Sequence, residues 1–323
     1  MIERLPVHRI EMPTPYGIGP VNAYLIEAEP LTFIDSGIGT PEARAALEEG
    51  IAGAGFALKD IVQILVTHAH PDHFGNVHLI EERSGATIYL PKLEMDRVRD
   101  RSELFTAMGR LLVEAGVPVE QLLRMDEARK KSPRARLDDE ALTPLVDGDT
   151  FPLAIQGATV ELIALHMPGH SGGHMVFHEP RTGTLFAGDQ LLPDVSPNPL
   201  LEPSLDEPGE RRRSLKEYLH SLERMAALGV RLVYPGHGAP ITDPGSVIER
   251  TIEHHHKRKA LVAAHLGSDG KSPYQLATEF YPNVEGYDIF LSVSEVVAHL
   301  DLVVDDGDAV VEDRSGVTYY RAG

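Results

Sequence analysis

The sequence predicts an α/β protein with a small second module at its C-terminal end. Three observations carry that prediction. Strand-like and helix-like segments alternate without a fixed repeat period, which excludes a solenoid or propeller. A near-continuous apolar run, IVQILV at 61–66, has the character of a strand buried on both faces. Beyond Pro240, Asp243, Pro244 and Gly245 the pattern changes to helices and one hairpin, dividing the chain into 1–245, with an insertion at about 92–145, and 246–323. A length of 323 residues suits about two domains and buries a large core without staples.

In order along the chain, VNAYLIE (21–27) and LTFID (31–35) read as short strands closed by the turn-forming SGIGT. Thr40 caps a helix that Pro41 opens and that runs to about residue 52. The buried strand at 61–66 ends in THAHPDHFGN, and a helix over 72–83 and a strand at 86–90 follow. Residues 92–145 show helical periodicity and rising polarity, predicting a helical insertion whose mixed-charge loop could cover a site. Strands resume at 158–165, 174–179 and 183–188, each bounded by Gly or Pro. A charged helix over 214–228 leads through RLVYP into GHGAPITDPGS. The last module is expected to hold helices at 246–266, after the cap Ser272, and at 287–300, then a hairpin turning at Asp313-Arg314-Ser315-Gly316. That layout predicts a winged-helix-like domain.

Composition narrows the chemistry. The absence of cysteine excludes disulfides, thiolate metal sites and a cysteine nucleophile, so any metal must be held by His, Asp or Glu. No signal pattern opens the chain and no long uncharged apolar stretch occurs, so a cytoplasmic location and no membrane contact are expected. Thirty basic against 49 acidic residues give a net charge of −19, the wrong sign for general attraction to nucleic acid or anionic membranes. Sixteen histidines are many, and their clustering is the most informative feature.

His68-Ala69-His70-Pro71-Asp72-His73 sits where the buried strand runs out. Residues two apart on an extended chain face the same way, so His68 and His70 can aim at one point. Proline ends the strand, and Asp72 and His73 in a first helical turn point to a second position nearby. Four ligand-type side chains cannot fill two coordination spheres. His170 in MPGHSGGH, Asp189 in FAGDQ and His237 in YPGHG, each beside glycine, stand where the remainder would come from. Two divalent cations outweigh two carboxylates and a bridging hydroxide, leaving positive charge to polarise a carbonyl or phosphoryl oxygen. All-N/O ligation suits zinc, and a bridging carboxylate also accepts iron or manganese.

HxHxDH, GHSxGH, GD and PGHG, in that order after an IDSG turn, resemble the metallo-β-lactamase fold superfamily over about residues 21–240. The resemblance implies an αββα sandwich and a metal-dependent hydrolase. It implies that His68, His70 and His170 bind a first metal ion, that Asp72, His73 and His237 bind a second, and that Asp189 bridges them. It also implies that Asp35 orients the metal-binding loop. Met167 departs from the Thr common before PGH. A bridging Asp is similar to the thioesterase, lactonase and phosphodiesterase branches rather than to true β-lactamases. The C-terminal layout resembles the lactamase-beta-2-like subgroup, which carries a winged helix and includes enzymes that cleave single-stranded RNA. It does not resemble the glutathione-binding domain of glyoxalase II.

The expected function is hydrolysis of a thioester or lactone of a small molecule, with metal-bound hydroxide attacking the carbonyl and Asp72 steering the proton. The alternative is a phosphodiesterase or endoribonuclease on single-stranded RNA, opposed by seven basic against thirteen acidic residues over 246–323. A binding protein that keeps the fold without catalysis is a third reading, opposed by the complete ligand set. A homodimer is expected only as a common state. His254-His255-His256 are read as a solvated helix face, since consecutive helical residues diverge by about 100°. His174 is read as hydrogen-bonding near the site. Arg211-Arg212-Arg213 are read as a solvated helix start, and Arg129 to Arg136 as a solvated loop. His299 and His178 receive no role.

Overall fold

The computed structural model describes residues 3–99, 101–131, 142–204, 207 and 209–323. One sheet runs in the order β1 (Val7–Met12), β2 (Val21–Ile26), β3 (Thr32–Ile34), β4 (Gln63–Leu65), β5 (Thr87–Pro91) and β6 (Leu142–Leu145). The pairs from β3 to β6 are parallel. The second sheet runs in the reverse order of β7 (Thr150–Ile155), β8 (Ala158–His166), β9 (Met175–Glu179), β10 (Thr184–Gly188) and β11 (Leu232–Pro235).

Strand chemistry explains the layering. β2 to β4, β9 and β10 are buried throughout, whereas edge strand β7 alternates exposed and buried residues. The two sheets meet through Tyr24, Ile34 and Leu65 on one side and Leu153, Phe177 and Phe186 on the other. The outer face of the first sheet packs on α1 (Pro41–Gly53) and α3 (Val77–Ser84), through Leu47, Ile51, Val77 and Ile80. The outer face of the second packs on α7 (Ser214–Ala226) and the start of α8 (Pro244–Ala264), through Leu215, Leu222 and Ile248. This is the expected αββα sandwich.

Two stretches of secondary structure differ from the sequence reading. The helix expected over 72–83 breaks into α2 (Pro71–Phe74) and α3, because the Asn76 amide turns to donate to Ser36 O and Ile38 O. Gly75 packs there so closely against the backbone at Gly39 that a Cβ has no room. The insertion forms α4 (Met95–Arg99), α5 (Arg101–Glu114) and α6 (Val119–Lys131). Its end is not helical: Leu142–Leu145 is the edge strand β6, where Pro144 costs nothing because an edge needs no second ladder of donors. Residues 132–136 of the basic run lie outside the described residues.

The C-terminal region adds α9 (Pro273–Phe280), α10 (Tyr287–Asp305) and the hairpin of β12 (Ala309–Arg314) and β13 (Val317–Ala322). Ser272 and Gln275 form a reciprocal cap for α9. The hairpin turns on Ser315 and Gly316, both at positive φ, as a two-residue turn requires. These helices share one core with the insertion: Leu111, Leu112 and Val117 pack with Leu276, Phe290 and Val293. Backbone bonding from Tyr274 N to Ala115 O reinforces the contact. α8 enters this core with Val262 after contributing Val247 and Ile248 to the hydrolase side. Among the described residues, no helix is long and apolar enough to cross a membrane.

The arginines at the start of α7 are paired with carboxylates, and Arg212 is buried. Arg212 is 6% exposed and donates to Glu202 at 2.7 Å and to Glu217, while Arg211 makes a two-pronged pair with Asp301 and Arg213 reaches Asp305 at 2.8 Å. Their partners lie mostly on distant elements, invisible to local sequence, and their pairing welds α7 to α10. His255 also departs from the solvated reading: it is 1% exposed and turned inward, while His254 and His256 face solvent.

Candidate metal centre

Four connections deliver polar side chains to one rim of the sandwich. β4 ends at Leu65 and its extended continuation carries His68 and His70. Pro71 halts that extension and opens the single turn of α2, on which Asp72 and His73 are both buried. The link between β8 and β9 brings His170, the end of β10 brings Asp189, and the end of β11 brings His237. Gly236 is required here, since a Cβ would run into Asp189 Oδ1 and His73 Cε1.

All seven side chains meet. His70 Nδ1 lies 2.9 Å from both His68 Nε2 and His170 Nε2. His237 Nε2 lies 3.4 Å from Asp72 Oδ2, and His73 Nε2 lies 3.3 Å from Asp189 Oδ1. Asp189 Oδ2 is 3.6 Å from His170 Nε2 and 3.7 Å from His237 Nε2, so this carboxylate touches both clusters. The closest sets of ligand atoms are His68, His70 and His170; Asp72, His73 and His237; and a joining set of His68, His73 and Asp189.

Hydrogen-bond accounting shows what the rim is built to receive. Backbone carbonyls only accept, so His237 Nδ1 donates to Pro20 O at 2.7 Å and His170 Nδ1 donates to Asn198 O at 3.2 Å. His73 Nδ1 donates to Asp35 Oδ2 at 2.8 Å. The one hydroxyl proton of Thr67 goes to Asp35, so Thr67 Oγ1 accepts from His68 Nδ1 at 3.0 Å. Each of these rings therefore turns a bare Nε2 lone pair toward the centre, where it faces other lone pairs and two carboxylates. His73 Nε2 and Asp189 Oδ1 are buried without a hydrogen-bond partner among the described residues. Acceptors aimed at acceptors in a dry cleft repel one another unless cations lie between them. The residues present thus fit divalent metal ions.

Electrostatics agree. Burial first, then neighbouring imidazoles, hold His68 well below the ordinary histidine range. Burial opposes charge on His73, but Asp189 and Asp35 outweigh it and raise its value well above that range. His237 is likewise raised against its burial, chiefly by the Asp72 carboxylate. Asp189 is held well below the carboxylate range despite burial, with His73 the main counterweight. The carboxylates around His73 and His237 thus favour positive charge at this point of the rim, as they would favour a bound cation.

One residue beside the centre was not singled out from sequence. Glu94, fully buried at the start of the insertion, accepts from Ser171 Oγ and Gly173 N, both at 2.8 Å, and so pins the loop of His170. Its segment was read only as the start of a helical insertion, with nothing local to mark Glu94 out. His174 hydrogen-bonds rather than joining the cluster: its Nε2 accepts from Asp189 N at 3.2 Å while its ring stacks on His68 at 4.7 Å. Asp35 sits at φ 59°, sparsely populated for a residue with a side chain, and accepts from Thr67 N, Thr67 Oγ1 and His73.

A family model described as the metallo-beta-lactamase superfamily matches residues 16–237. The chain is 32% identical over 321 residues to a probable metallo-hydrolase, YqjP, of Bacillus subtilis, covering 96% of each protein. It is 30% identical over 216 residues to an atrochrysone carboxyl ACP thioesterase of Aspergillus novofumigatus, covering 67% of this chain and 48% of that one. Among solved structures it is similar to a metallo-beta-lactamase family protein of Thermus thermophilus, at a TM-score of 0.82 and 30% identity over 98% of both chains. Fold, rim and comparisons agree: the chain belongs to the metallo-beta-lactamase superfamily and is a metal-dependent hydrolase.

Proposed function

We propose that the protein hydrolyses a thioester or related ester bond of a small acyl substrate at a dinuclear centre, zinc being the ion that suits an all-N/O donor set best. His68, His70 and His170 would hold one ion and Asp72, His73 and His237 the other, with Asp189 within reach of both sets. The observation that carries this reading is the convergence of bare imidazole lone pairs and two carboxylates on one buried rim. Divalent ions held there would polarise a carbonyl oxygen and lower the pKa of water from about 15.7 toward 7.

The chain's own residues supply the rest. Asp35, Thr67, Pro20 and Asn198 fix the tautomers that keep each Nε2 unprotonated. Asp72, whose value is lowered against its burial by its bond to His237, stays ionised and can take the proton released by attacking water. Tyr16, Ile18 and Tyr287 stand exposed by 43%, 43% and 60%. The Pro20 carbonyl, two residues after Ile18, accepts a hydrogen bond from His237 Nδ1, and the pKa of the Tyr287 hydroxyl is raised by burial first and then by Glu202, Tyr16 and Asp72 nearby. This apolar and phenolic mouth suits an acyl group. The thioesterase relative supports the same bond class.

The test is metal analysis and turnover of acyl thioesters, followed by thiol release, for the wild type, His70→Ala and Asp72→Ala. The wild type is expected to retain two ions and to turn over at least one thioester, with both variants losing metal and activity. Turnover in either variant equal to the wild type's would sink the mechanism. Metal-dependent cleavage of single-stranded RNA, lost in Asp72→Ala, with no thioester turned over would replace the substrate reading.

A further inference from the structure

The orienting partners of His68, His73 and His237 all come from the sandwich itself, at Thr67, Asp35 and Pro20. His170 is different. Its Nδ1 donates to the carbonyl of Asn198, in the irregular segment between β10 and α7. That segment is fastened to the C-terminal helices at three successive points. Ser196 Oγ bonds His255 Nε2 on α8 at 2.7 Å, the Asn198 amide donates to Leu291 O on α10 at 2.9 Å, and Leu201 N donates to Ser294 Oγ on α10 at 3.0 Å. Leu200 and Leu201 then enter the C-terminal core.

Asn198 is the joint. Pro197 and Pro199, both buried, flank it, fixing φ on either side and confining Asn198 to extended conformations. The strap is therefore stiff, and a shift of α10 is passed to the Asn198 carbonyl rather than absorbed. The amide has no alternative anchor, since its Oδ1 is buried without a partner among the described residues.

We infer that Asn198 is a positioning residue that ties the ring of His170 to α10, making the C-terminal module a working part of the centre rather than an appendage. This rests on the metal reading above. Removing the amide donor lets the strap drift and the His170 ring rotate, weakening the ion bound by His68, His70 and His170 while sparing the ion at Asp72, His73 and His237. Loss of such an outer hydrogen bond lowers metal affinity roughly 10–100-fold.

The experiment is titration of metal-free protein with Zn²⁺ under buffered free-metal conditions, with Co²⁺ absorption spectra as a second readout. Wild type, Asn198→Ala, Asn198→Asp and Ser294→Ala are compared. Asn198→Asp is nearly isosteric but sets an acceptor against the Leu291 carbonyl, so both Asn198 variants should lose affinity for one of two ions and alter the Co²⁺ spectrum. Ser294→Ala removes a neighbouring fastening but keeps the Asn198–Leu291 bond, so its affinity for the affected ion should fall between those of the wild type and the Asn198 variants. Two ions bound by both Asn198 variants with wild-type affinity and spectra would overturn the inference alone. A wild type that binds no ion would overturn the metal reading and this inference with it. If Asn198→Ala fails to fold, Asn198→Asp decides.

Discussion

Two histidine clusters occupy this molecule, and they resemble each other only in composition. At the rim, ring nitrogens and carboxylates converge with every donor turned outward. In the C-terminal module, His255, Glu295 and His299 also bring ligand-type atoms within 4.8 Å. There, however, each ring nitrogen is already used: Ser196 donates to His255 Nε2, His255 Nδ1 donates to His299 Nε2 at 3.2 Å, and His299 Nδ1 donates to Glu295 O at 2.7 Å. Arg258 lies 3.6 Å from the Glu295 carboxylate and supplies the positive charge. Donors pair with acceptors in one direction through the chain, so it needs no cation. What separates a metal centre from a structural network is therefore the direction of the hydrogen bonds, not the count of histidines.

The sharpest way to break this comparison is to delete one carboxylate or ring from each cluster. Asp189→Asn should lose bound metal and all measurable turnover, while His255→Asn should keep the wild-type metal content by elemental analysis. Metal lost from His255→Asn but not from Asp189→Asn would reverse the two assignments. Next in size, Asp35→Asn should weaken binding by roughly 10–100-fold, because the amide cannot accept from His73 and both Thr67 donors as a carboxylate does. Titration with a competing chelator measures this, and an unchanged affinity would remove Asp35 from the centre.

The C-terminal cluster should instead reveal itself in acid. Burial pushes His255 down to about 3, helped by His299 and Arg258, and His299 down to about 4, helped by Arg258 and His254. A histidine depressed on folding takes its proton more readily when unfolded. Its stabilisation is thus complete above about pH 6.5 and declines as the pH falls toward these values, by about 2 kcal/mol per histidine at pH 5. Urea unfolding of the metal-free protein at pH 7 and pH 5 tests this, and His255→Asn should flatten the difference. An equal slope in the variant would mean that the pair is not the acid-labile element. The smallest effect belongs to Ser196→Ala, which leaves His255 Nε2 without its donor and should cost about 1 kcal/mol with metal content unchanged.

Much of this was legible before any coordinates. HxHxDH after a buried apolar run implies its own geometry, because the period of a strand, the stop imposed by Pro71 and the first turn of a helix are all local. Periodicity likewise exposed most strands and the helices of the last module. What escaped depends on partners far along the chain. Leu142–Leu145 is too short to announce itself, and becomes a strand only because β5 offers a parallel edge. Arg211 to Arg213 look solvated until Glu202, Asp301 and Asp305 are folded beside them. His255 sits between two exposed histidines and is turned inward only by the packing of α8 on α10.

The sequence by itself therefore pointed to an α/β fold and to the HxHxDH cluster through local spacing and side-chain chemistry, and through its family resemblance to the other residues that gather at the rim. Only the tertiary structure decided which nitrogen each histidine presents and how the C-terminal helices bear on His170 through Asn198. Those properties reside in hydrogen bonds between elements far apart in the chain, and the direction of a hydrogen bond is settled only when both partners are in place.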